Sequence, residues 1–173
     1  MRFSEVIDRR RSIRAFRATA IEEEKINAIL AAAQSAPSAG DLQAYRIVVV
    51  TDAETKALLA KAALGQQFIA EAPTMLVFFA DIRRGKAKYG TRGAELFCLQ
   101  DATIAAAYAQ LAATDAMLGS CWVGAFDDAQ VSESLAAPAH LRPVALMPLG
   151  YAAEAPERPP RRALSQLVQP ERF

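Results

Sequence analysis

Positions 9–14 read RRRSIR, so four arginines and one hydroxyl fall within a single short stretch. A guanidinium is always charged and presents a planar fork that matches a phosphate bidentately, while serine adds a short hydroxyl donor. A second basic group, Arg158, Arg161 and Arg162, lies near the other end of the chain. The two groups either solvate separately as surface charge or converge on one small phosphate. The chain as a whole carries 20 basic and 19 acidic residues, a net charge of +1. That balance leaves no broad basic face, so nucleic acid is not an expected partner. The single histidine, His140, lies in the loop-like PAHLRP. One histidine and two distant cysteines, Cys98 and Cys121, do not make a zinc site, and no metal is expected. A Ser-His-Asp triad would need His140 itself, which reads as an ordinary loop residue. Two cysteines do not form a disulfide framework and are expected as buried thiols in a reducing cytoplasm.

The elements that must position these groups alternate between helix and strand. FSEVIDRR reads as a short amphipathic helix with Phe3, Val6 and Ile7 on one face. A second helix carries the stripe Ile26, Ile29, Leu30 and Ala33, opened by a Thr19–Glu22 capping box and stopped by Pro37 and Gly40. The run RIVVV at 46–50 reads as a buried strand, and residues 52–64 as a helix capped by Asp52. TMLVFFAD, residues 74–81, is a second buried strand. Residues 81–93 read as a polar, mobile loop, and residues 93–118 as one long Ala-rich helix closed by Gly119. SCWVGAF forms a third strand, DAQVSESLAA a helix and VALMPLGY a fourth strand. The proline-rich segment from residue 152 runs extended over a surface.

One domain over residues 1–173 is expected, of α+β class, with residues 152–173 as an extended arm. A chain this long buries roughly 70% of its unfolded surface and needs no covalent staple. The opening MRFSEVIDRR has no apolar signal run. The apolar stretch 104–113 is too short to span a bilayer, so no membrane partner is expected. No G-x-G-x-x-G follows the first strand and no phosphate-binding P-loop is present, which disfavours a Rossmann dinucleotide unit.

The stretches RRSIRAF, SAPSAGDLQAYR, LGQQFIAEAP, YGTRGAELFCLQDA, GSCWVGAF, LMPLGY and PPRRALSQLV occur in this order along nearly the whole chain. Taken together they resemble the nitroreductase family in its short form. The resemblance implies a central mixed sheet flanked by helices, in a homodimer with FMN at the subunit interface and the arm exchanged between subunits. It assigns the flavin phosphate and ribityl chain to Arg10, Arg11, Ser12 and Arg14, completed by Arg161 and Arg162. It assigns a loop from the partner subunit, here Pro37, Ser38, Ala39, Asp41 and Gln43, to the ring. Asp41 stands where similar proteins have Asn. It lacks the amide donor and is expected to cap or brace its own turn. Gln66 or Gln67 is expected at the ribityl or pyrimidine edge, and the sequence does not choose between them. Val123, Gly124 and Ala125 are expected to run past the ring, with the backbone N–H of Gly124 or Ala125 on the nitrogen that accepts hydride. Trp122 is expected in the core.

A flavin enzyme needs few catalytic side chains, since the protein supplies binding, orientation and electrostatics. The implied activity is hydride transfer from NAD(P)H by way of FMN to a nitroaromatic, quinone or similar flat acceptor, in ping-pong order. Similar folds also support dehalogenation, azoline oxidation, flavin fragmentation and non-enzymatic flavin binding. Lys86, Lys88 and Arg92 of the 81–93 segment are either contacts for an anionic cofactor or ordinary solvated charge.

Overall fold

A computed structural model describes residues 1–172. Phe173, the last residue of the expected arm, lies outside the described residues. The chain runs α1 (Phe3–Arg9), α2 (Glu23–Gln34), β1 (Tyr45–Val50), α3 (Ala53–Ala62), α4 (Phe68–Glu71) and β2 (Thr74–Asp81). It continues through α5 (Ile82–Arg92), a π-helical turn (Gly93–Phe97), α6 (Cys98–Asp115), β3 (Gly119–Ser120), α7 (Asp128–Ser134) and β4 (Leu141–Gly150). Among the described residues no helix is long and apolar enough to cross a membrane.

The sheet order is β1-β2-β4-β3. The class is α+β, as expected, but the strands pair antiparallel throughout rather than as a mixed sheet. Among the described residues the one parallel pairing is an isolated bridge between Ser12 and Ser120. β2 sits centrally and every one of its residues is buried, because both faces are covered. Its period of two sorts the side chains. Met75, Val77 and Phe79 pack with Leu59, Ile69 and Val131 of α3, α4 and α7. Leu76 and Phe78 pack with Ile29 and Ala33 of α2 and with the alanines of α6. Burying a side chain as large as Phe78 contributes about 1.5–3 kcal/mol by area. Ala102, Ala105, Ala106, Ala109 and Ala113 are buried along α6. Methyl groups alone on that stripe let α6 lie close to the sheet while α2 packs against it.

Several local expectations change. β1 is an edge strand paired only with β2, so Arg46 and Val49 are exposed and only Val50 is buried. On α1 only Val6 is buried, with Phe3 72% exposed. Helix α2 is capped by Glu22 backbone, with no box from Thr19. The expected 81–93 loop is helical. Asp81 caps α5 by accepting from the Arg84 N–H at 2.9 Å, and the helix kinks at Gly90. The expected single helix from residue 93 begins with the π-turn. Gly85 and Gly93 let these two pieces touch, since a Cβ on Gly93 would lie 2.1 Å from the Gly85 carbonyl oxygen. α6 ends through Met117 in the left-handed region (φ 63°), with Leu118 N–H returning to the Ala113 carbonyl. Gly119 belongs to β3 instead, where a Cβ would meet Ile13 at 2.9 Å. β3 is only two residues long because the chain rejoins β4 irregularly, through the Val123–Leu146 bridge. Trp122 packs at the edge of the α2–α6 core, as expected.

Candidate functional site

The segment after α1 is fixed by the sheet's end. Ile13 is buried and its N–H donates to the Ser120 carbonyl at 2.9 Å. Farther along, Arg17 N–H donates to Tyr151 O (2.8 Å) and Ala153 N–H to Ala15 O (2.9 Å). The Glu154 carboxylate accepts from the backbone N–H groups of Arg14 and Ala15. The start of the arm is thereby laid along residues 12–17. Arg158 then returns to Asp8 of α1 at 2.8 Å. These ties carry the C-terminal arginines back to the N-terminal ones.

The result is a cationic cluster. Arg10 is half-buried, and burial together with the charges of Arg161, Arg11 and Arg158 pushes its guanidinium below its ordinary value. Among the described residues Arg10, Arg11, Arg14, Arg161 and Arg162 form no ion pair with a carboxylate. Holding the half-buried Arg10 among like charges without a paired carboxylate is unfavourable and is relieved by an anion. The five do not act alike. Arg11 Nη1 donates to the carbonyls of Asp8 (2.6 Å) and Arg10 (2.9 Å), capping the C-terminus of α1. Arg162 donates to Gln166 O within the arm itself, at 2.9 Å, and Arg161 to Pro159 O at 3.2 Å. Arg14 lies 6.0 Å from the centre of the Phe68 ring. Ser12 faces the Cys121 thiol, which burial pushes upward against the opposing pull of Arg14, Ser12 and Arg10.

A second set of expected residues lies alongside. Gln66 Nε2 donates to Ala63 O at 2.9 Å and to Ala125 O at 3.3 Å, joining the turn before α4 to residues 124–125. Gln66 is thereby committed to carbonyls, whereas Gln67 is exposed at the start of α4. Gly124 and Ala125 are exposed where the chain leaves the Val123–Leu146 bridge. Among the described residues neither of their amide N–H groups has a protein acceptor. Phe68 links this set to Arg14. Arginines, free amide donors and Gln67 thus share one region.

The Pro37–Gln43 loop lies elsewhere on the chain. Gly40, Asp41 and Gln43 all adopt positive φ, at 54°, 56° and 49°. For residues with a Cβ that conformation costs about 1–2 kcal/mol each. Several hydrogen bonds hold it. Ser38 Oγ accepts from Gln43 N–H at 2.9 Å. The buried carboxylate of Asp101, on α6, accepts from Ala39 N–H at 2.9 Å and Ala44 N–H at 3.1 Å. From α5, Arg84 Nε donates to Leu42 O (2.6 Å) and Lys88 Nζ to Gly40 O (2.9 Å). Asp41 was expected to brace this turn. Among the described residues its exposed carboxylate accepts no hydrogen bond, and Asp101 and Ser38 do the bracing instead. Gln43 Nε2 reaches back to Gln34 O at 3.4 Å. Lys88, expected as a solvated or cofactor-facing charge, is a loop contact. Asp101 was missed because the loop it holds is 62 residues away. The available signal was a lone carboxylate in the otherwise apolar run from Cys98 to Ala109, apart from Gln100 and Thr103. Pro37, Ser38 and Ala39 line a cleft of ≈ 560 Å³ against α6. The structure therefore gathers Arg161, Arg11 and Arg158 about Arg10, sets Arg14 beside Phe68 next to Gln67 and ties Gln66 to Ala125, while the longer-range side-chain hydrogen bonds of Pro37–Gln43 among the described residues run to α2, α5 and α6.

Comparison with known proteins identifies the family and the fold. The model of the nitroreductase family matches residues 7–71 and 61–151. The chain is 35% identical to a Thermus thermophilus protein named NADH dehydrogenase, over 84% of each. It is 34% identical to the NADPH-flavin oxidoreductase of Vibrio harveyi, over 91% of this chain and 68% of that one. The solved structure of the Vibrio harveyi NADPH:FMN oxidoreductase complexed with NAD+ superposes with a TM-score of 0.91 at 31% identity, covering 99% of this chain and 77% of that one. On sequence and on fold alike, this chain belongs to the nitroreductase family.

Proposed function

We propose that the chain is an NAD(P)H-dependent FMN oxidoreductase, passing electrons to a nitroaromatic, quinone or similar flat acceptor in ping-pong order. The names of its relatives support the cofactor and the donor. The observation that carries the reading is Arg10, half-buried, crowded by Arg161, Arg11 and Arg158 and without a carboxylate among the described residues. A phosphate monoester fits that charge deficit, and the free amide donors of Gly124 and Ala125 fit a heteroaromatic edge beside it.

Bound FMN would supply the two-electron store that lets a hydride donor and a separate acceptor react in turn. Arg10 and Arg161 hold the phosphate, with Arg14 and the Ser12 hydroxyl beside them. Arg11, whose Nη1 is shared between two carbonyls, and Arg162, which is not among the charges acting on Arg10, contribute charge at longer range. Val123 ends the sheet contact. The amides of Gly124 and Ala125 then hold the ring edge by hydrogen bonds, acting as positioned dipoles rather than as proton donors. Gln67 takes the polar edge that Gln66 does not serve.

The second subunit of a homodimer contributes the Pro37–Gln43 loop to this site and receives the end of the arm, beyond Arg162, in exchange. Two features support this. Among the described residues no hydrogen bond joins the loop to the arginine cluster of its own chain. The arm leaves Leu164, Leu167 and Val168 exposed, at 76%, 57% and 61%. We place the enzyme in the cytoplasm, where Cys98 and Cys121 persist as buried thiols. The test is anaerobic titration of the purified yellow protein with NADH or NADPH, followed by initial rates at varied donor and quinone. Bleaching and parallel double-reciprocal lines are expected. A protein that takes up no FMN refutes the cofactor, and intersecting lines refute the order.

A further inference from the structure

We infer that Asp101 is a positioning residue: with Arg84 and Lys88 of α5 it forms a two-sided clamp that sets the backbone of the Ser38–Ala44 loop in its flavin-facing shape. The inference rests on the reading of that loop as a flavin contact. The three side chains bond the loop's backbone and act through it.

The two sides are chemically complementary. From α6, the buried Asp101 carboxylate takes up two backbone donors, Ala39 N–H at the loop's beginning and Ala44 N–H at its end. From α5, two cations take up backbone acceptors, Arg84 on Leu42 O and Lys88 on Gly40 O. The far end is locked further, because Ala44 O accepts from Asp81 N–H at 2.9 Å. Between these anchors lie the three positive-φ residues. A segment in that conformation persists only when its surroundings over-determine it. The loop's own side chains do not suffice, since Ser38 makes one bond across the turn and Gln43 reaches to α2. Asp101 lies on the buried face of α6 between Cys98 and Ala102, so the helix that packs the core carries the group that shapes the loop.

The experiment reads the loop directly. Amide hydrogen exchange is measured on the apo-protein for wild type and Asp101→Asn, with FMN and riboflavin affinities determined in parallel. Asn keeps one acceptor oxygen and presents a donor where the second N–H must bond. The amides of Ala39 and Ala44 are expected to exchange about tenfold faster, the loss of roughly one net hydrogen bond, while Leu76 and Phe78 keep their protection. FMN and riboflavin affinity are expected to fall by the same factor, because the phosphate site is untouched. Unchanged loop exchange in a folded variant overturns the proposal, as does equal loss of protection in loop and sheet. Should Asp101→Asn fail to fold, the exposed pair Arg84→Gln and Lys88→Met carries the test. Faster exchange over Gly40–Ala44 at unchanged Tm is expected, and unchanged exchange overturns the clamp. Exchange is read without ligand, so a wild type that binds no flavin would sink the cofactor reading and leave this result standing.

Discussion

Replacing Arg10 and Arg161 by Gln, singly and together, tests the site where its physics is most exposed. Without ligand, Arg161 adds to the positive field that depresses Arg10. Removing it relieves a like-charge contact that solvent partly screens, of order 1 kcal/mol or less. For a chain of this length that raises the apo Tm by at most about 2–4 °C. With ligand the sign reverses. A charge-assisted bond to a phosphate is worth about 1.5–3 kcal/mol, so each substitution weakens FMN by roughly 10–150-fold. Riboflavin, which lacks the phosphate, should bind both variants as it binds wild type. Two residues on one anion are coupled, so the double variant should lose less than the sum of the singles. Fluorescence titration with both flavins, and thermal melts with and without FMN, read all of these quantities. An equal loss for FMN and riboflavin would refute the reasoning, as would a lowered apo Tm with unchanged FMN affinity.

Two further outcomes follow from geometry away from the arginines. Gly93→Ala places a Cβ about where the Gly85 carbonyl oxygen stands, 2.1 Å from it. It should cost about 1–3 kcal/mol by overpacking, seen as a lowered denaturation midpoint with an unchanged m-value. Tyr151 at the end of β4 donates to Glu22 at the start of α2 (2.6 Å), and Lys25 closes the group at 3.2 Å from the same carboxylate. The Tyr151 hydroxyl, the local backbone and Lys25 pull the Glu22 carboxyl from its usual 4.5 down to about 2. A depressed carboxyl stabilises the fold above its unfolded value and loses that contribution as it protonates. Glu22→Gln should therefore lower stability at neutral pH and converge with wild type as the pH falls from about 4.5 toward 2. Parallel pH–stability curves over that window would contradict this.

Much of the fold could be read from local pattern. β2 is apolar at every position from Met75 to Ala80 and sits where both faces are covered. Asp52 caps α3 as its position suggests. RIVVV carries the same apolar signal as β2, but its burial depends on sheet order, which a strand's own residues do not encode. The 81–93 segment was read as a loop because it is polar and contains Gly85, Gly90 and Gly93. The α5 helix forms because Asp81 caps it, and two of those glycines serve as contacts rather than breakers. At the site, the sequence offers two readings of the terminal arginines, solvated charge or convergence on one anion, and only the folded chain sets Arg161 beside Arg10. The bracing of the Pro37–Gln43 loop was not, because a carboxylate inside a distant helix gives no local sign of the backbone it will hold.

The methyl-only stripe of α6 places the helix axis under the control of core volume. A bulkier residue at Ala105 or Ala109 would press on the close-packed Ile29, Leu76, Phe78 and Met147, with no long side chain of the stripe itself to turn aside. The rod itself would have to lift. Asp101 rides on that rod, so the displacement would arrive at Ala39 and Ala44 as a change in reach. Tuning the interior of this protein and tuning the mouth of its site are, for that reason, one mechanical operation.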